Sequence, residues 1–196
     1  GSVIRPGDVQ LMSAGSGVAH SEFNHSATQG VHFLQIWIVP DVSGAKPRYQ
    51  QEHFSAQKKR GRLQLIISPD GSDGSLTVRQ DARVYAGLFD GKESATLKLP
   101  ANRYAYVHVA RGSVELNGQR LQEGDGVRVR DEQALTLANG VDAEVLVFDL
   151  PALGDAGAEA AARPSGENRR SSSLNGDERY GLGAGGPDSE SVQMSK

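Results

Sequence analysis

From residue 63 to residue 150, short apolar runs alternate at a period of two with polar positions, and turn formers interrupt them at short intervals. Residues 63–67 end at Ser68-Pro69-Asp70-Gly71, and residues 76–78 and 82–89 alternate up to Asp90-Gly91. Residues 95–99, 105–109, 112–118, 121–127 and 141–150 continue the series, with no convincing amphipathic helix among them. Such a series predicts an antiparallel sandwich or barrel. Residues 1–39 read the same way, with strands expected at Val3-Ile4, at 9–12, at 17–23 and at 31–39. In the last of these, Val31, Phe33, Trp37 and Val39 share one face, and His32, Leu34, Ile36 and Ile38 share the other. Both faces are mainly apolar, which predicts a strand buried on both sides. Trp37 is then a core aromatic, or else a wall of a ligand pocket. His32 is a hydrogen-bonded core histidine, or else a ligand.

Gly124-Asp125, within the second β-rich stretch, repeats the turn at Gly7-Asp8, which suggests two copies of one architecture. Residues 40–47, PDVSGAKP, break the pattern and open a polar connection. The boundaries that follow are 1–45 for the first unit, 46–62 for a connector, 63–152 for the second unit and 153–196 for a tail. In the connector, Lys58-Lys59-Arg60 is expected on the solvated surface and His53 is expected exposed, although it could approach the first unit. The tail is rich in Gly, Ala, Ser and charge and nearly lacks β-branched and aromatic residues, so disorder is expected there, with at most a short helix over 156–163.

Composition narrows the function classes. The 196 residues contain no cysteine, which excludes disulfides and thiolate metal sites and fits a reducing compartment such as the cytoplasm. A net charge of −3 offers no electrostatic footprint for nucleic acid or an anionic membrane, and no apolar run is long enough for a transmembrane helix.

The chemistry concentrates in His20-Ser21-Glu22. On a strand, residues two apart face the same way, so His20 and Glu22 project together. An imidazole and a carboxylate suit divalent iron, manganese, nickel, copper or zinc. The alternative is a solvated or hydrogen-bonded pair, since two ligands alone do not make a tight site. His25, in the polar run 24–28, reads as a solvated turn residue. His108 has no histidine or carboxylate two positions away and reads as part of a strand.

The runs Ser2-Val3-Ile4-Arg5-Pro6-Gly7-Asp8-Val9-Gln10, Met12-Ser13-Ala14-Gly15, His20-Ser21-Glu22-Phe23-Asn24 and Leu34-Gln35-Ile36-Trp37-Ile38 resemble the bacterial pirin family, from about Gly1 to about Leu150. The resemblance implies an all-β fold of two cupin (jelly-roll barrel) domains. Residues 1–45 would be the later part of the metal-binding N-terminal cupin, and 63–152 a complete C-terminal cupin without metal ligands. It also implies a metal held by three His and one Glu. His20 and Glu22 would be the later two ligands, and two further His would be expected upstream of Gly1, so that the chain would begin inside the first barrel. The implied cofactor is a divalent transition metal, iron first, with nickel, copper, manganese or zinc as alternatives. The implied activity is that of a quercetin 2,3-dioxygenase, which opens the central ring of a flavonol with dioxygen and releases carbon monoxide. Glu22 would serve as both ligand and catalytic proton acceptor. The alternatives are a non-enzymatic metal-binding regulator that docks to transcription or metabolic partners, and an inactive fragment of the enzyme.

Overall fold

A computed structural model describes residues 2–152, 180–185 and 190–195. The strands in order are β1 (Asp8–Ser13), β2 (Val18–Phe23), β3 (Phe33–Ile38) and β4 (Arg48–His53), followed by a single helical turn, α1 (Ala56–Lys59). Then come β5 (Leu63–Ser68), β6 (Leu76–Thr77), β7 (Arg83–Phe89), β8 (Ala95–Lys98), β9 (Arg103–Leu116), β10 (Gln119–Gln122), β11 (Gly126–Val129) and β12 (Ala134–Pro151). β13 (Tyr180–Gly185) and β14 (Glu190–Ser195) complete the series.

The larger sheet follows the order β10-β9-β12-β7-β5-β6, with β11 on β9 and β8 on β12. Its long strands β9 and β12 bend where Gly112 adopts a left-handed φ of 68° and where the β9–β12 register shifts between Ala138 and Glu144. That bend lets the same two strands serve both walls of a barrel. Alternation then divides the apolar side chains. Val107, Val109, Val145 and Val147 point into the barrel, together with Phe89 and Leu135, and all six are fully buried. Leu146 and Phe148 point the other way with Val84 and Ala86, where Val9 and Leu11 of β1 and Leu34 and Ile36 of β3 pack onto them. The second core is therefore shared between the units.

The smaller sheet runs β3-β14-β1-β4. The paired glycine–aspartate turns are alike in detail. The Asp8 backbone N–H donates to the Arg5 carbonyl at 2.8 Å while the Arg5 N–H donates to Asp8 Oδ2 at 2.8 Å. Asp125 and Gln122 repeat both bonds at 3.0 and 2.8 Å. Gly7 and Gly124 adopt left-handed φ values of 90° and 87°, which only glycine takes without strain.

Several expectations need correction. Val3-Ile4 forms no strand. β3 is not buried on both faces: Leu34, Ile36 and Ile38 face the shared core, whereas Trp37 is 48% exposed, with Val31 and Val39 on that side exposed as well. One apolar face finds the neighbouring unit, and nothing described covers the other. His32 is likewise exposed and no core residue. Lys58-Lys59-Arg60 is not uniformly solvated. Lys59 is buried, and its Nζ lies 3.3 Å from Oε1 of the equally buried Glu144, because one helical turn points successive side chains in different directions. The span expected as a connector holds β4, which pairs with β1 along its whole length.

The expected disorder of 153–196, and the helix over 156–163, lie mostly outside the described residues. Within that span, however, β13 pairs with β2, and β14 pairs with both β1 and β3. β14 buries Val192 and Met194 in the shared core. Its Glu190 is 1% exposed, accepts from Ser13 Oγ at 2.9 Å through Oε1, and accepts from the Arg79 N–H at 3.1 Å through Oε2. A few well-placed apolar and acceptor groups thus seat a strand that composition alone disfavours. No helix among the described residues is long and apolar enough to cross a membrane.

Candidate metal centre

β2 carries the pair that the sequence singles out. Its exposure alternates strictly, with Val18, His20 and Glu22 turned inward and Ala19, Ser21 and Phe23 outward. Gly15 and Gly17, at φ values of 56° and 120°, make the turn between β1 and β2. A Cβ at Gly15 would strike the Ala45 carbonyl, so the turn is held against the chain entering β4. Asn24 closes the far end, with its Oδ1 accepting from the Ser26 N–H at 3.1 Å and its Nδ2 donating to the Gln29 carbonyl at 2.7 Å. His25 lies exposed in that turn, as its polar surroundings predict.

His20 Nε2 and Glu22 Oε1 are 3.5 Å apart, with 15% and 23% of their side chains exposed. Both ring nitrogens of His20 and Oε1 of Glu22 are buried and make no hydrogen bond among the described residues. Their proximity is thus electrostatic only. Buried polar atoms are almost always satisfied, so three adjacent exceptions call for a missing partner. Two donors about 2.1 Å from one ion at roughly 90–110° would stand about 3.0–3.5 Å apart, so the observed separation fits a shared cation. One imidazole and one carboxylate suit a divalent transition metal. Among the described residues no third His, Cys, Asp or Glu joins them in a metal-binding cluster.

The other histidines lie elsewhere. His53 ends β4, over half exposed, with Nδ1 2.7 Å from Asp8 Oδ1. Burial alone would raise the Asp8 carboxyl, but hydrogen bonds from His53, the Arg5 N–H and Gln51, together with the charge of His53, outweigh it and hold the group below its usual range. This pair straps β4 to the glycine–aspartate turn, a role that reading His53 as a connector residue missed. The spacing of Asp8 and His53 carries no signal for it, since they stand 45 positions apart in sequence, at the ends of β1 and β4. His108 lies in β9, as expected. It lines a cleft of about 310 Å³ between β3 and the larger sheet, to which His20 and Glu22 do not contribute.

Two family models match the chain: Pirin over residues 1–38, and the quercetinase C-terminal cupin domain over residues 65–150. The chain belongs to the pirin family. Like other pirins it is an all-β cupin protein, as its sequence predicts. It is 42% identical over 148 residues to the quercetin 2,3-dioxygenase of Escherichia coli K12, an alignment that covers 76% of this chain and 63% of that protein. It is 36% identical over 144 residues to a pirin-like protein of Caulobacter vibrioides, covering 73% of this chain and 62% of that one. The chain therefore spans a little under two thirds of the curated pirins it matches. Among solved structures, YhhW of Escherichia coli aligns at a TM-score of 0.58 and 28% identity over 76% of this chain and 74% of that one. The bacterial pirin YhhW in complex with nickel(II) aligns at a TM-score of 0.57 and 28% identity, over 76% and 75% of the two chains.

Proposed function

We propose that this pirin contributes His20 and Glu22 to a divalent transition-metal site of the quercetin 2,3-dioxygenase type, with a flavonol and dioxygen as substrates. The observation that carries the reading is the trio of buried, unsatisfied atoms on one face of β2. When bound, the metal supplies a Lewis acid and a site for oxygen chemistry on a chelating organic molecule. The nickel(II) named for the related YhhW, and its kinship with a named quercetin 2,3-dioxygenase, support that choice. Iron stands first among the candidates, followed by nickel, copper, manganese and zinc.

The chain's own residues divide the remaining work. His20 offers its imidazole, and either nitrogen is available because neither makes a hydrogen bond among the described residues. Glu22 holds a carboxylate oxygen without a donor, so it is placed both to ligate and to take the 3-hydroxyl proton of a flavonol. Enclosure of both side chains keeps bulk water from competing for those roles.

Metal content and quercetin turnover test the proposal, in the wild-type chain and in His20→Ala and Glu22→Gln. His20→Ala should lower metal content several-fold, and Glu22→Gln should abolish turnover at whatever metal content remains. Metal-loaded wild-type protein that leaves quercetin intact overturns the oxygenase. A second reading, a metal-binding protein that docks to a protein partner, draws support from Phe23, Trp37 and Val39, which are 64%, 48% and 78% exposed. Retained metal without turnover would favour it.

A further inference from the structure

The outer face of the larger sheet carries a cleft that His20 and Glu22 do not line. Ala105, Val107 and Val109 of β9 point into the barrel, so Tyr104, Tyr106 and His108 point outward. β3 stands over part of this face and leaves the cleft of about 310 Å³. Leu34 and Ile36 form one wall, and Leu146 and Phe148 the other. The Tyr106 ring lines it too, tilted 48° against Phe148 with centroids 5.9 Å apart. This is an apolar, aromatic-walled slot at the small end of the range for small-molecule sites, too small for a peptide.

His108 and Gln35 line the cleft. Arg128 of β11 is directly opposite Tyr106 in the β11–β9 ladder, and Gly126 is opposite His108. Val127 and Val129 pack on the barrel core, so Arg128 emerges on the same outer face as Tyr106. The Arg128 side chain is exposed and has no hydrogen bond or ion pair among the described residues. Arg130 lies 5.4 Å over the Tyr104 ring and adds a second cation to that edge. A Cβ at Gly126 would overlap the Tyr106 hydroxyl, so the glycine lets the tyrosine ring lie across β11 and extend the aromatic floor toward Arg128.

We propose that this cleft binds a small planar aromatic acid. The ring sits between Leu34–Ile36 and Tyr106–Phe148, and the carboxylate turns toward Arg128 with His108 as a second polar contact. An apolar slot selects a flat ring, and a guanidinium at its rim selects an anion over a neutral analogue. The site is independent of the metal, so it stands or falls apart from the oxygenase reading.

The test uses 2-naphthoate and its neutral analogue 2-naphthalenemethanol, titrated into the metal-free 196-residue chain by calorimetry, with amide chemical shifts to locate them. Naphthoate should bind saturably at one site and perturb Tyr106, His108 and Gly126. Arg128→Ala should weaken it five-fold or more and leave the neutral analogue within two-fold, whereas Arg128→Lys should recover part of the loss. Arg128 is exposed, so an unchanged melting temperature will show that the fold is intact. Absence of saturable naphthoate binding overturns the proposal. So does equal weakening of both probes, or perturbation centred on His20 and Glu22.

Discussion

The Lys59–Glu144 pair offers the sharpest test of how the two units are locked. Lys59 is 5% exposed and Glu144 8%, and the pair joins the helical turn after β4 to the bulged stretch of β12. Ala143 and Val145 turn into the barrel, so Glu144 between them faces the opposite side of β12, where Lys59 covers its carboxylate. An exposed ion pair contributes at most about 1 kcal/mol. Removing one member of a buried pair costs about 3–5 kcal/mol, chiefly because the survivor is left charged and dry. Lys59→Met and Glu144→Leu, each made alone, should each fall in that range. With a urea slope of about 2 kcal/mol/M, each should lower the unfolding midpoint by about 1.5–2.5 M. The double variant Lys59→Met/Glu144→Leu should return to within about 1 kcal/mol of wild type, because similar apolar volume replaces the pair without a stranded charge. The cycle would then show a coupling of at least about 2 kcal/mol. Single variants within about 1 kcal/mol of wild type, with additive effects, would refute the argument and restore the solvated lysine that the sequence suggests.

Three further outcomes are expected. The Asp8 carboxyl should titrate below its ordinary value of 3.8 by NMR, and His53→Ala should move it upward; its stabilising contribution is present above 3.8 and is lost as pH falls through the lowered folded value, so the variant should flatten that part of the acid unfolding curve. Gly112→Ala should cost at least about 2 kcal/mol more than Gly118→Ala: both glycines have left-handed φ, but a Cβ at 112 would strike the Val141 and Asp142 carbonyls while 118 has open space. Glu190→Ala should destabilise by about 2–3 kcal/mol and speed hydrogen exchange at the Arg79 amide, because Ser13 Oγ and the Arg79 N–H lose their acceptor; unchanged Arg79 exchange would mean that β14 does not seat there.

Sequence periodicity reveals most of the second unit because period-two alternation and glycine turns act locally. The common orientation of His20 and Glu22 is legible for the same reason. β4, with the sequence RYQQEH, is illegible because it has almost no apolar alternation. It is held by backbone pairing to β1 and by glutamine contacts such as Gln50 Nε2 to the Thr77 carbonyl at 2.8 Å. Trp37 misleads because an apolar face does not disclose whether a covering layer exists. Lys59 misleads because charge says nothing about which way a single helical turn points. The cleft beside Tyr106 depends on β3 standing over a sheet built some seventy residues later, a juxtaposition no local window contains.

Among the described residues β2 pairs only with β13, so His20 and Glu22 ride on a two-stranded ribbon apart from either large sheet. Such ribbons have little standing stability of their own. A cation that grips both groups selects molecules in which the ribbon is zipped, and its measured dissociation constant is the intrinsic one divided by the zipped fraction. If His20 and Glu22 hold a metal as proposed, its affinity would gauge strand pairing as much as ligand chemistry. A substitution that merely unzips β13 would loosen the ion without touching either ligand.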